Sequence, residues 1–286
     1  MKLFQFYRDG GVHTGMVLNG VHIDLERTAA GSGLPVTLSG ILACDQAPAA
    51  LCAAYAALTP AVLDEAAIDF APAADHPEKI LCVGLNYAAH QEETDLRNNA
   101  AFPPLFCKFA NSLVGHAHPI HLPAAARRFD YEVELVVMLG MRASRVTPDE
   151  AAGCIFGYTV GNDFSARDLQ MATSQWLMGK ACDDFAPLGP YLVTADELNA
   201  DDLRLTTRVN GELRQDGRTS DMIFNCCQII SHISQVMTLM PGDIIYTGTP
   251  SGVILGKPET DRVWLKTGDV VEVSIEGIGS LKNALV

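Results

Sequence analysis

Three acidic residues in the middle of the chain could hold a divalent cation. Glu132 and Glu134 stand two apart within residues 131–138 (YEVELVVM), a segment rich in residues that favour β-strands. Alternate residues of a strand share a face, so the two carboxylates should lie side by side in a segment otherwise built for burial. Adjacent buried carboxylates repel and are costly to ionise, and a cation would relieve that cost. Asp163 is a candidate third ligand, and an all-oxygen set favours Mg²⁺, Mn²⁺ or Ca²⁺ over zinc.

The same spacing also fits a simpler interpretation, a half-exposed strand that carries two solvated glutamates. Glutamates two apart are common, so the spacing by itself favours this simpler interpretation. The other segments of the chain have to decide between a metal centre and a solvated strand face.

A histidine, a glutamate and a lysine are candidates for proton transfer and charge stabilisation. His90 and Glu93 are three apart, so on a helical turn the carboxylate could orient the imidazole, and the pair could activate a water. A surface ion pair is the commoner meaning of this spacing. Lys180 follows an apolar stretch, where its ammonium could stabilise a developing oxyanion or simply extend to solvent.

Candidates for ligand binding lie between and after these residues. Arg167 could bind a carboxylate or pair with Asp168, and Gln170 gives only a weak signal by itself. Residues 248–252 (GTPSG) form a small-residue turn that could offer N–H groups and a hydroxyl to an anion, or be an ordinary tight turn. The chain has no P-loop, no dinucleotide-binding glycine motif and no G-x-S-x-G motif, which argues against nucleotide cofactors and serine hydrolases.

Composition narrows the class of protein and its partners. The 286 residues are 48% hydrophobic, enough to build the core of one large domain or two. The net charge of −14, with no block of Lys or Arg, argues against nucleic acid or an anionic membrane as partner. Eight scattered cysteines without a C-x-x-C pair predict free thiols in a reducing cytosol. The N-terminal segment lacks the apolar stretch of a signal peptide, and no apolar run approaches a membrane span of ~18 residues. These features predict a soluble cytoplasmic protein.

Turn and cap signals divide the chain into two parts. Asp9-Gly10 and Asn19-Gly20 predict a small β-meander, which an Ala-rich helical stretch over residues 40–70 follows. A proline-bearing connector at residues 71–77 predicts a boundary, giving a small N-terminal domain at 1–75 and a second domain at 76–286.

The second part is predicted to consist mainly of strands. The exceptions are a capped helix that begins after Thr147 and ends near Gly157, and a helix over residues 223–237. Strands dominate without βαβ alternation, which predicts an α+β fold with mixed sheets.

Six segments, in order along residues 79–253, together resemble the fumarylacetoacetate hydrolase family. They are residues 83–90 (VGLNYAAH), 106–108 (FCK), 129–135 (FDYEVEL), 157–168 (GYTVGNDFSARD), 179–180 (GK) and 241–252 (PGDIIYTGTPSG). The resemblance implies a mixed β-sheet roll as the catalytic fold, preceded by a small N-terminal α/β subdomain. It also implies a homodimer and a Mg²⁺ or Mn²⁺ cofactor.

Matching residues carry the family's roles over to this chain. The resemblance implies that the metal ligands are Glu132, Glu134 and Asp163 and that the catalytic residues are His90, Glu93 and Lys180. It implies that the substrate-binding residues are Arg167, Gln170 and Thr249. Residues 86–104 resemble the segment that closes as a lid in many family members.

The resemblance also implies a reaction, the metal-dependent hydrolysis of a C–C bond. The expected substrate is a small anionic 2,4-diketo acid (an acylpyruvate), and the candidates include diketo-deoxy sugar acids and aromatic-degradation intermediates. Glu93 would hold His90 as the base, and His90 would deprotonate a water aimed at the C4 carbonyl. Lys180 and Gln170 would stabilise the oxyanion, and breaking C3–C4 would give pyruvate and a carboxylic acid.

Two alternatives remain open. The same site could decarboxylate a 2-oxo acid of the oxaloacetate type or isomerise an unsaturated dioate of the 2-hydroxyhepta-2,4-dienedioate type, and neither reaction needs a hydrolytic water. A non-catalytic, metal-bound scaffold is a third interpretation, which the presence of dyad, ligands and lysine together disfavours.

Overall fold

The computed structural model describes residues 1–94, 96 and 102–286 and has an α+β fold, as predicted. Its strands are β1 (Lys2–Arg8), β2 (Gly11–Leu18), β3 (Val21–Asp24), β4 (Phe70–Ala71), β5 (Ile80–Val83), β6 (Leu105–Lys108), β7 (Leu113–Val114), β8 (Phe129–Asp130), β9 (Val133–Leu139), β10 (Ile155–Asn162), β11 (Ser165–Ala166), β12 (Ala186–Thr194), β13 (Arg204–Val209), β14 (Glu212–Arg218), β15 (Ile244–Tyr246), β16 (Val270–Ile275) and β17 (Gly279–Ala284). Its α-helices are α1 (Leu25–Thr28), α2 (Leu38–Leu42), α3 (Pro48–Ala56), α4 (Ala88–Thr94), α5 (Pro148–Ala152), α6 (Arg167–Gln170), α7 (Leu177–Lys180) and α8 (Cys226–Ser234). Short 3₁₀ turns lie at Glu65–Ala67, Ala110–Ser112, Ala200–Asp202, Thr219–Asp221 and Glu259–Asp261.

A large mixed sheet forms the centre of the fold. Its strand order is β3-β2-β1-β12-β10-β9-β15-β5-β6, with β4 paired to β1 and β7 paired to β12. Strands β5 and β15 run parallel, whereas β9 runs antiparallel to both β10 and β15. A second sheet has the order β14-β13-β16-β17, and β8 and β11 form a separate antiparallel pair.

Strand β9 lies at the centre of the large sheet and is buried on both faces. Leu135 and Val137 point into a core shared with the second sheet and α8. Val136 and Met138 point into the opposite core, which the helices of the N-terminal part cover. Strands buried on both faces are usually continuous apolar runs, so Glu134, the second residue of this strand, is the exception that needs an explanation.

The N-terminal part begins with the predicted meander. Asp9 and Asn19 adopt positive φ angles of 52° and 50°, and antiparallel hairpins join β1 to β2 and β2 to β3. Strand β1 also pairs with β12, so these strands extend the large sheet. The domain boundary near residue 75 stays a prediction.

The two predicted helices of the second part form, with shorter bounds. Thr147 and Glu150 make the predicted capping box, but α5 ends at Ala152 instead of near Gly157, because Ile155 already pairs with Leu139 in the sheet. Helix α8 begins only after Asn225, since the preceding residues 222–224 are tied to a neighbouring loop: the backbone N–H groups of residues 223 and 224 donate to Asn86.

Candidate metal centre and active site

Strand register brings the three acidic residues together. In the pairing of β9 with β10, Val133 lies opposite Asn162 and Glu134 opposite Gly161. One residue further along, the backbone N–H of Asp163 donates to the carbonyl oxygen of Glu132 over 2.9 Å. One carboxylate oxygen from each of the three acids lies within 4.8 Å of the others, and all three residues are buried. The structure therefore assembles the predicted carboxylate cluster, although β9 itself begins at Val133 and not at residue 131.

Two buried cations contact this cluster from helices α6 and α7. Lys180 Nζ lies 2.7 Å from both Glu132 Oε2 and Asp163 Oδ2, and Arg167 Nη2 lies 2.7 Å from Glu132 Oε1. A glycine allows the two helices to approach, because a Cβ at Gly179 would lie only 2.4 Å from the backbone nitrogen of Gln170. This close packing places Lys180 beside Arg167 and Gln170.

A third buried cation, Lys108, stands behind Asp163. Its Nζ lies 2.6 Å from Asp163 Oδ1, but its hydrogens are directed at the backbone carbonyls of Phe164, Lys180 and Phe185. The contact is therefore electrostatic, and Asp163 Oδ1 is a buried carboxylate oxygen that accepts no hydrogen bond. Lys108 thus compensates part of the negative charge of Asp163.

The acidic residues of the cluster are unequally compensated. Burial alone would raise the pKa of Glu132, but Lys180 and Arg167 outweigh it and hold that pKa below its usual range. Burial and the charges of Asp163 and Glu132 raise the pKa of Glu134 well above its usual range. The direct partner of Glu134 is the backbone N–H of Gly248, at 2.7 Å from Oε2, which is not a full positive charge.

These observations fit a divalent cation bound by Glu132, Glu134 and Asp163. The cluster offers oxygen ligands alone, which suits Mg²⁺ or Mn²⁺. It contains a carboxylate that the protein itself does not neutralise and an acidic oxygen without a hydrogen bond. A carboxylate oxygen has two lone pairs, so the contacts of Lys180 leave room for coordination by the same groups.

The predicted dyad also forms. His90 Nδ1 lies 2.9 Å from Glu93 Oε1, and the backbone N–H of Gly252 donates to Glu93 Oε2 over 2.8 Å. An ionised carboxylate only accepts hydrogen bonds, so the proton shared by the pair lies on His90 Nδ1. His90 Nε2 is then the atom available to take or give a proton.

The carboxylate cluster and the His90–Glu93 dyad share one cleft. Most of the predicted site residues line it: His90, Glu132, Glu134, Arg167, Gln170, Lys180 and Thr249. The other two, Asp163 and Glu93, lie behind the lining and contact Lys180 and His90. Apolar side chains close the cleft, including those of Leu85, Phe106 and Trp176. The lid segment expected at 86–104 falls partly outside the described residues, at 95 and 97–101.

Sequence reasoning missed several residues that build the site. Asp130 is fully buried and accepts hydrogen bonds from Arg167 Nε and from the backbone N–H groups of Ile254 and Leu255, at 2.9–3.0 Å. Phe106 presents its ring to Lys180 Nζ at 5.1 Å, a cation–π contact. An acidic residue directly before a buried strand was a usable signal for Asp130, whereas Phe106 was marked only by its place in the family-like segment 106–108.

Comparison with known proteins tests the predicted family and fold class. A family model described as fumarylacetoacetate (FAA) hydrolase C-terminal matches residues 79–286. The chain belongs to the fumarylacetoacetate hydrolase family. Family membership and the mixed sheet thus confirm the predicted family and fold class.

Relatives within the family carry names of different reactions. A mitochondrial oxaloacetate tautomerase from Bos taurus is 38% identical over 100% of this chain and 92% of its own length. A solved fumarylacetoacetate hydrolase from Exiguobacterium antarcticum is 35% identical with a TM-score of 0.82, over 100% of this chain and 99% of that one. A solved 5-carboxymethyl-2-hydroxymuconate delta-isomerase from Mycobacterium smegmatis is 32% identical with a TM-score of 0.77, over 100% and 98%.

The predicted location of the protein stays a prediction. None of the helices within the described ranges is long and apolar enough to cross a membrane. The bovine relative is named as mitochondrial, so the cytoplasmic location expected from the sequence is not confirmed.

Proposed function

We propose that this protein catalyses metal-dependent proton transfer on a small 2-oxo acid, with the keto–enol tautomerisation of oxaloacetate as the first candidate reaction. The observation that carries the proposal is that His90, an oriented acid–base group, shares a cleft with the carboxylate cluster. A relative that matches the whole chain is named an oxaloacetate tautomerase, which supports this choice over the hydrolysis expected from the sequence.

Glu132, Glu134 and Asp163 would hold Mg²⁺ or Mn²⁺ in this reaction. When bound, the ion would supply an electrophile that binds the 1-carboxylate and 2-oxo group and stabilises negative charge there. Arg167 and Lys180 bring positive charge to the same cleft, which favours a small anionic substrate over a neutral one.

The protein's own residues would move the proton. His90 Nε2 would remove a proton from C3 of the keto form and deliver it to O2, and the reverse transfer would regenerate the keto form. Glu93 would keep the imidazole in the required tautomer and stabilise its protonated form. The substrate neither gains nor loses an atom overall, so no hydrolytic water is required.

Hydrolysis of a 2,4-diketo acid is the second candidate, because the dyad is equally suited to activate water. Glu93 is anchored at both oxygens, by His90 and by the Gly252 N–H, which fixes His90 as a general base. In that reaction His90 would take a proton from water as the water adds to C4. The C3–C4 bond would then break, C3 would gain a proton, and pyruvate and a carboxylic acid would leave.

A substrate panel separates the candidates. Purified protein loaded with Mg²⁺ or Mn²⁺ is given freshly dissolved enol or keto oxaloacetate, several acylpyruvates, and an unsaturated 2-hydroxydioate, each with and without chelator. We expect metal-dependent acceleration of oxaloacetate interconversion, followed as a change in ultraviolet absorbance, without matching release of CO₂. Stoichiometric pyruvate and carboxylic acid from an acylpyruvate would favour hydrolysis instead, and CO₂ release at the rate of oxaloacetate loss would favour decarboxylation.

The homodimer implied by the family resemblance remains part of the proposal. Sedimentation of the purified chain, whose mass is 30.7 kDa, tests it directly. A species of twice that mass is expected, and a monomer at assay concentration would contradict it.

A further inference from the structure

The loop of residues 248–252, here called the bridging loop, connects the two halves of the candidate site. At one end the backbone N–H of Gly248 donates to Glu134 Oε2, and at the other the backbone N–H of Gly252 donates to Glu93 Oε2. Between them, Thr249 lines the cleft. The position of this loop therefore sets both the carboxylate cluster and the dyad.

A buried glutamine on β14 holds the middle of the bridging loop. Gln215 Nε2 donates to Thr249 Oγ1 over 2.8 Å and to the carbonyl of Pro250 over 2.9 Å. Its Oε1 accepts from the backbone N–H of Val133 over 3.0 Å and from Thr207 Oγ1 over 2.7 Å. The side chain is 1% exposed, and it connects the second sheet, the strand of the metal ligands and the loop.

These four partners decide which way the amide faces. The Val133 N–H can only donate and the Pro250 carbonyl can only accept, so Oε1 must face β9 and Nε2 must face the bridging loop. Thr249 Oγ1 is thereby an acceptor towards Gln215, and its own hydrogen is left to point elsewhere. Within the part of the chain that the structure describes, no acceptor for that hydrogen is found, and the side chain lines the cleft.

The side-chain amide of Gln170 is also held in one orientation, in this case by Arg167. Arg167 Nη1 donates to Gln170 Oε1 over 3.0 Å, so Nε2 is the donor end of that amide, and the described residues provide no acceptor for it. Thr249 and Gln170 thus both offer hydrogen-bond donors to the cleft. A ligand rich in acceptor oxygens, such as a 2-oxo dicarboxylate, fits this arrangement.

The bridging loop is in close backbone contact with β14. A Cβ on Gly217 would lie 2.5 Å from the Cβ of Pro250, and one on Gly252 would lie 2.3 Å from the carbonyl oxygen of Arg214. Gly252 also has a φ of +108°, a backbone conformation that residues other than glycine rarely adopt. The loop therefore rests directly on the strand that carries Gln215.

We propose that Gln215 is a positioning residue for substrate binding: it holds Thr249 so that the hydroxyl donates its hydrogen to an anionic oxygen of the ligand. This inference rests on the proposed function for the class of ligand, a small 2-oxo acid. Loss of a hydrogen bond to a charged oxygen typically weakens binding by roughly tenfold to a hundredfold. The effect should appear in KM and in the dissociation constant, with kcat changed much less.

Variants on the two sides of the same amide test the proposal. We expect Thr249→Val and Gln215→Met to raise the KM for oxaloacetate roughly tenfold or more, and the double variant to be no worse than Thr249→Val. Thr249→Ser should restore the wild-type KM because it keeps the hydroxyl. Thr207→Val removes the hydrogen bond on the far side of Gln215 and is the matched control: it should lower Tm and leave KM unchanged.

A second substitution keeps the test decisive if Gln215→Met does not fold. Gln215→Glu keeps the acceptor for Val133 but presents an oxygen to Thr249, which turns the threonine hydrogen away from the ligand, so KM should rise at least as much as in Thr249→Val. A normal KM in a folded Gln215 variant, or single effects that multiply in the double variant, would overturn the proposal.

Binding measurements separate this proposal from the proposed function. Calorimetry of oxaloacetate with the Mg²⁺-loaded protein reports the dissociation constant of each variant without turnover. Wild-type protein that binds oxaloacetate without interconverting its forms would refute the tautomerase and still test Gln215 through that constant. Wild-type protein that binds neither oxaloacetate nor an acylpyruvate would refute both.

Discussion

Two groups of buried acidic residues, one in the N-terminal part and one beside β9, are neutralised in different ways. Asp24 is fully buried, yet it contacts the guanidinium of Arg8, lies 3.4 Å from Arg27 Nε and caps α1 by accepting from the Arg27 N–H. Glu134 is as deeply buried, but its charged neighbours include Asp163 and Glu132, and both raise its pKa. The first acid is neutralised by the protein, whereas the second is left for a cation.

The contrast separates structural charge from functional charge. A buried carboxylate that already has cations and a backbone N–H contributes to stability alone. A buried carboxylate that lies beside other acids destabilises the folded protein unless a bound ligand neutralises it. Destabilising groups of this kind are concentrated at functional sites. Substitutions in the two groups should therefore differ in what they change.

The largest difference is expected between Glu132→Ala and Asp24→Asn. Glu132→Ala removes a metal ligand and should weaken Mn²⁺ binding by more than about 100-fold, with loss of activity. It also takes a partner from Arg167 and Lys180, so we expect the free energy of unfolding to fall by about 3–5 kcal/mol. Asp24→Asn should lower stability by about 1–3 kcal/mol and leave metal affinity unchanged. Calorimetric Mn²⁺ titration and denaturant unfolding measure both effects, and an active, metal-free Glu132→Ala protein would refute the metal centre.

His90→Ala should split metal binding from catalysis. The histidine contacts Glu93 and lines the cleft without being one of the three acidic ligands, so Mn²⁺ affinity should stay near the wild-type value. Turnover should fall by about 10²–10⁴-fold through the loss of general acid–base catalysis. Steady-state kinetics beside the same titration check this, and unchanged turnover in the variant would remove His90 from the mechanism.

The smallest effect is expected at the capping box of α5, which is remote from both groups. The backbone N–H and hydroxyl of Thr147 lower the pKa of the exposed Glu150. A carboxyl whose pKa is lower in the folded state stabilises the protein above its unfolded pKa, and that contribution disappears as the pH falls through the folded value. Thr147→Ala should therefore lower Tm by a few degrees at neutral pH and by less below about pH 4, with no change in activity. An equal loss of Tm at both pH values would contradict this account of the cap.

The sequence predicted those parts of the site that depend on local periodicity. Glu132 and Glu134 share a face because strand side chains alternate, and His90 meets Glu93 because both lie on one helical turn of α4. The meander turns and the capping box follow from the same short-range rules, and they formed as predicted.

Contacts that depend on tertiary register could not be predicted in this way. Gln215 reaches Val133 across 82 residues of chain, and Lys108 reaches Phe185 across 77. Gln215 has no local pattern that marks it, and Lys108 lies in the family-like segment 106–108 without a predicted role, because the role of each residue comes from the packing of β14 and β6 against other segments. The predicted ends of two helices were wrong for the same reason. The pairing of Ile155 with Leu139 makes α5 end early, and contacts with Asn86 make α8 begin later along the chain than predicted.

The most direct test is the melting temperature of wild-type protein and of Glu134→Gln, each with and without Mg²⁺ or Mn²⁺. The amide would keep an acceptor for the Gly248 N–H and remove the uncompensated charge, so without metal the variant should melt above the wild type. Metal should raise the Tm of the wild type and leave that of the variant unchanged. A wild-type Tm that does not respond to either metal, together with a variant that melts lower than the metal-free wild type, would contradict the assignment of Glu132, Glu134 and Asp163 as a metal centre.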